Sequence, residues 1–123
     1  VYLEIETKLH VQQKIVEKVY DLVWSYILDY ENFFNPYEER KKAIAEWRSM
    51  AVLDVAPSDE IRELAETLSK QGIKAKDALH VACAIKARCD YFLTTDKRLL
   101  NKAVGQIELI NPLDFIRKGG DLK

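Results

Sequence analysis

The chain has 123 residues, 48% of them apolar and 32% charged, with a formal net charge of −1. This is the size and make-up of one folded globular domain, and it excludes a disordered tail or a fibrous repeat. Near-neutral charge argues against a protein that grips nucleic acid by bulk charge alone. The four glycines and three prolines are too few for a loop-rich or all-β fold. No apolar run approaches the roughly 18 residues of a membrane helix, and no signal or transit peptide pattern is visible. On one helix, Cys83 and Cys89 would lie about 9 Å apart, beyond disulfide reach. They read as reduced thiols of a cytoplasmic protein. His10 and His80 lack zinc-ligand spacing.

In chain order, residues 1–20 are read as a helix. Tyr2, Ile5, Leu9, Gln12, Val16 and Val19 recur at spacings of three and four, outweighing the short alternation of Val1, Leu3 and Ile5. Asp21 to Ser25 reads as a buried strand and 26–34 as a short helix. Asn35 caps, and Pro36 opens, a helix running to about Ser49. Val52 to Ala56 is a second strand. Ser58 caps a helix with Asp59 and Glu60 in its first turn, ending at Gly72. Residues 75–89 form an apolar, small-residue helix suited to close packing on a sheet. Tyr91 to Thr95 is a third strand, Lys97 to Ala103 a short helix and Ile107 to Ile110 a fourth strand. Asn111-Pro112 repeats the cap for a last helix to about Lys118. Strands separated by helices predict an α/β fold, a three-layer α/β/α sandwich with a mainly parallel sheet, forming a single domain over 1–123.

Sites in such folds lie beyond the carboxyl ends of the strands. Asp96 follows the third strand directly, and Glu31 lies six residues after Ser25, near the same expected edge. Asp77 sits in the first turn of the helix that feeds the Asp96 strand. Were the three carboxylates to converge, their repulsion would call for a hard divalent cation, Mg²⁺ or Mn²⁺. Such an ion suits phosphodiester hydrolysis. Each residue also has a plain structural reading: Asp77 complements a helix dipole, Asp96 caps the next helix, and Glu31 lies on a solvated face. Asp29, Asp54, Asp90 and Asp114 share no edge. His80 reads as a hydrogen-bonded core residue. Tyr26, Tyr30, Phe33, Phe34 and Tyr37 could stack on bases, but helix packing is the expected use. Residues 70–102 carry eight Lys or Arg against three Asp, whereas 1–69 carry eight against fourteen acids. Lys74, Lys76, Lys97 and Arg98 flank the candidate acids and would suit contact with a nucleic acid; a solvated face with incidental sign bias is the plain alternative.

The segment KDALHVACAIKARCDYFLTTDKRLL resembles the C-terminal half of PIN domains, the fold of VapC-type toxin ribonucleases and related bacterial nucleases. The matching features are an Asp opening a small-residue helix (Asp77-Ala78-Leu79-His80) and a strand ending in Thr94-Thr95-Asp96. Ser25 and Glu31 match an upstream strand-end Ser and following Glu, and IELINPLDFI matches the closing strand and helix. The resemblance covers roughly residues 21–116. It implies a metal-dependent ribonuclease in which Glu31, Asp77 and Asp96 hold Mg²⁺ or Mn²⁺, with Thr94 or Thr95 in support. It also implies an RNA substrate, an antitoxin partner if the chain is a toxin, and a homodimer. A non-catalytic PIN-like module binding RNA or protein is the alternative. The family's first strand, which ends in an Asp and lies mid-sheet, has no counterpart here. A further N-terminal segment carrying that strand is therefore expected, or else a truncated chain with a weakened metal site.

Overall fold

The structure is a computed structural model that describes residues 2–118, with side chains from Leu9 onward. Val1 and residues 119–123, the ends of the domain expected over 1–123, lie outside the described residues. The elements are α1 (Tyr2–Val16), β1 (Val23–Ser25), α2 (Tyr26–Phe33), α3 (Glu38–Trp47), a 3-10 turn (Arg48–Met50), β2 (Leu53–Val55), α4 (Asp59–Lys70), α5 (Ala75–Lys86), β3 (Tyr91–Leu93), α6 (Lys97–Leu100), β4 (Glu108–Ile110) and α7 (Pro112–Lys118). The order follows the hydrophobic periodicity of the sequence, and the fold is mixed α/β with parallel strands.

The chain divides into two compact units: Asp21–Arg88, and the flanking stretches up to Tyr20 and from Cys89 onward. In the first, β1 and β2 pair in parallel with Val23 opposite Leu53, Trp24 opposite Asp54 and Ser25 opposite Val55. In the second, β3 and β4 pair in parallel with Tyr91 opposite Glu108 and Leu93 opposite Ile110. The described residues thus form two two-stranded sheets instead of one continuous sheet. None of their strands pairs with both β1 and β3.

The core of the 21–88 unit is the α4–α5 contact. Ile61, Ala65 and Leu68 recur at i, i+4 and i+7 on α4, and Ala78, Val81 and Ala82 form the facing stripe of α5; all are buried. Alanines let the backbones approach closely, while each buried Ile, Leu or Val side chain contributes about 1.5–3 kcal/mol. The Ser58 hydroxyl accepts from the Ile61 N–H at 3.3 Å, so α4 starts where the capping residue predicts. It ends at Lys70, and Gly72 just beyond has a φ of +93°, the left-handed conformation favouring glycine.

The two Asn-Pro pairs behave differently. Asn111 accepts from the Asp114 N–H at 2.8 Å, a true cap for α7. Asn35 accepts instead from the Tyr37 N–H at 3.1 Å. That is an Asx turn ahead of the helix, and α3 begins at Glu38 with Tyr37 at its N-cap position, not at Pro36. The expected helix packing of the 30–37 aromatics is also not found. Tyr30, Phe33, Phe34 and Tyr37 are exposed. α2 meets β1 at its start and α3 alongside, and its C-terminal rings are left open to solvent. Tyr26 is the exception: burial, with a smaller contribution from Cys83, pushes its hydroxyl above the ordinary tyrosine range.

Candidate functional site

Ser25 ends β1 and occupies the N-cap position of α2, with extended backbone (φ −143°, ψ 159°) and no side-chain cap bond. Its buried hydroxyl is turned to α5, where burial raises the Cys83 thiol and a hydrogen bond from Ser25 pulls it partly back. Six residues on, Glu31 lies in the last turns of α2. Its carboxylate meets one face of α5, on which Lys76 and His80 are four residues apart and therefore stacked one turn above the other. Glu31 Oε2 is 3.0 Å from Lys76 Nζ, and Glu31 Oε1 is paired with His80 Nε2. A carboxylate only accepts, so the His80 proton in this pair sits on Nε2. Burial pushes the Glu31 carboxyl up, but the hydrogen bonds and charges of Lys76 and His80 outweigh it and hold the group below the usual carboxylate range. Glu31 is thus fixed as an anion.

Asp77 follows Lys76 in the first turn of α5. It is half-buried and makes no side-chain hydrogen bond or ion pair among the described residues. Lys74 and Lys76 are exposed at the same helix start. Within the Asp21–Arg88 unit, then, Glu31 is brought to the helix turn that carries Asp77, together with two cationic or proton-bearing side chains.

Asp96 belongs to the other unit. It follows β3 and caps α6, its Oδ1 accepting from the Arg98 N–H at 2.9 Å and the Leu99 N–H at 3.4 Å. Its own N–H donates to Thr94 Oγ1 at 3.1 Å. Thr94 therefore fixes the backbone on which Asp96 sits, while Thr95, Lys97 and Arg98 are exposed beside it. Both bonds to Asp96 use a single carboxylate oxygen.

Among the described residues no three His, Cys, Asp or Glu side chains gather closely enough to hold a metal ion. In the sequence His80 reads as a hydrogen-bonded core residue. It is hydrogen-bonded, but to the candidate acid itself, and its i, i+4 relation to Lys76 was the signal available. Asp29 and Asp54, read from sequence as unconnected, meet at one guanidinium: Arg48 lies 3.7 Å from Asp29 and 2.7 Å from Asp54. Asp29 also accepts from the buried Trp24 indole N–H at 2.9 Å.

Among the described residues no helix is long and apolar enough to cross a membrane. The family model described as PIN domain matches residues 2–105. No curated protein and no solved structure matches the chain.

Proposed function

The chain belongs to the PIN domain family, and from that premise we propose that it is a metal-dependent ribonuclease hydrolysing RNA phosphodiesters. The family has a nuclease-like fold and commonly acts on RNA. The observation that carries the reading is the delivery of an ionised Glu31 from α2 to the first turn of α5, where Asp77 stands uncommitted. Asp96 is the third acid in this reading, with Thr94 in support and Thr95 beside it.

The donor chemistry fits a hard divalent ion. Mg²⁺ commonly keeps several waters and uses only one or two carboxylates together with substrate phosphate, so a crowded three-residue cage is not required. Ligating carboxylates must be deprotonated, the state in which Lys76 and His80 hold Glu31. Mg²⁺ or Mn²⁺ bound there would supply Lewis acidity to water and to the phosphate. The chain's own residues do the rest. Glu31 and Asp77 would hold the ion within the 21–88 unit, and His80 orients Glu31 through the proton on Nε2. Lys74 and Lys76 are the phosphate-backbone contacts beside Glu31 and Asp77, and Lys97 and Arg98 are those beside Asp96.

The toxin of a toxin–antitoxin pair, acting in the cytoplasm as a homodimer neutralised by an antitoxin, is the narrower form of this reading. A non-catalytic RNA- or protein-binding module is the rival. It is favoured by one observation: both Glu31 oxygens already face cationic or proton-bearing partners.

Cleavage of single-stranded RNA in Mn²⁺ separates the two. The ribonuclease reading expects turnover that falls at least about 100-fold in Asp77→Asn and Asp96→Asn. That loss meets or exceeds the roughly 10–100-fold typical of removing a supporting partner of a metal ligand. Equal rates in variant and parent, or no metal-dependent turnover, would reject it.

A further inference from the structure

We propose that the exposed aromatic cluster at the α2–α3 turn is a base-stacking platform for single-stranded polynucleotide. Tyr30, Phe33, Phe34 and Tyr37 are 63%, 69%, 64% and 63% exposed. Single exposed apolar residues are ordinary, but a contiguous aromatic patch marks a contact surface. Phe34 joins two of its neighbours. Tyr30 and Phe34 have centroids 5.2 Å apart at 70°, and Phe33 and Phe34 are 5.1 Å apart at 87°. These edge-to-face contacts fix the rings against one another, and each ring stays largely exposed.

Cations accompany the rings. The Arg40 guanidinium lies 5.2 Å from the Tyr37 ring centre, and the Lys41 ammonium lies 5.2 Å from that of Phe33. Lys41 is anchored there by donating to the Phe33 carbonyl at 3.2 Å. On α3, Glu38 and Glu39 fall about 110° and 150° round the axis from the midpoint of Arg40 and Lys41. The aromatic face is therefore cationic although the turn as a whole is mixed in charge. Exposed aromatic rings beside positive charge are what unpaired bases on a phosphate backbone require. In a duplex the base faces are already stacked, so the platform selects single strands.

Its position ties it to the candidate site. Tyr30 adjoins Glu31, and Phe34 lies three residues beyond it, a spacing of about 5–6 Å between Cβ atoms on a helix. Bases held on these rings would bring the backbone of neighbouring nucleotides towards Glu31. The naming of RNA as the ligand rests on the ribonuclease reading above.

The test is fluorescence anisotropy of a labelled single-stranded RNA of about 10 nucleotides, within the span of one such binding surface. It is run with EDTA so that no cleavage is needed. Phe33→Ala/Phe34→Ala should weaken binding about tenfold or more per ring, the size of base–aromatic stacking. The unfolding midpoint should not change, because both rings are exposed. Phe33→Trp should keep the affinity, and the same sequence as a duplex should be insensitive to all three changes. Equal affinity of parent and double variant overturns the proposal. So does an unchanged RNA affinity accompanied by loss of a dimer in sedimentation, which would assign the patch to a second copy of the chain. A protein that cleaves RNA yet ignores the two rings refutes the platform alone. One that binds through them without cleaving refutes the ribonuclease reading alone.

Discussion

Glu31 is held by two side chains from a single turn of α5, and the consequences are measurable one residue at a time. Its carboxyl is held below the ordinary value of 4.5. A depressed carboxylate contributes stability above the unfolded value and loses it as pH falls through the folded one. The stability gap between parent and Glu31→Gln, read by urea unfolding at a series of pH values, should therefore be full above about pH 4.5 and close progressively below it. A gap that does not change with pH would contradict the ion pair. Asp29 gives a second case. It satisfies the buried Trp24 indole N–H, so Asp29→Ala strands a donor and should cost about 1–3 kcal/mol. Adding Trp24→Phe should recover part of that donor penalty, and no recovery would place the cost elsewhere. From sequence, the Ser25–Glu31 spacing was readable because both lie on one local stretch. The His80 contact was not, because it joins positions 49 residues apart.

Elements whose ends are set by local chemistry were readable; those set by packing were not. The Ser58 hydroxyl and the left-handed backbone of Gly72 bracket α4. Gly72→Ala should destabilise by about 1–2 kcal/mol, the cost of placing a Cβ in left-handed backbone; chemical denaturation checks it. Asn35 and Asn111 carry the same Asn-Pro signature, yet one caps a helix and the other closes a tighter turn. The difference lies in which N–H the surrounding chain presents. The close α4–α5 approach depends on alanines with no exposed surface. Ala82→Leu should therefore cost about 1–3 kcal/mol by overpacking, and a neutral result would mean the helices have room that burial denies.

At the scale of the whole molecule, the alternation of helices and parallel strands was legible because each has its own hydrophobic period. The division of the strands into two pairs was not, because pairing partners are chosen in space. The exposure of the 30–37 rings also escaped the sequence, since aromatic residues at helical spacing look alike whether they face a core or solvent. A divalent ion held by Glu31 and Asp77 underlies the proposed activity, and thermal unfolding with and without Mn²⁺ tests this most directly. At about 100 times its dissociation constant the ion should add about 2.7 kcal/mol to the parent and little to Glu31→Gln or Asp77→Asn. A parent that Mn²⁺ leaves unmoved, or variants stabilised as much as the parent, would contradict it.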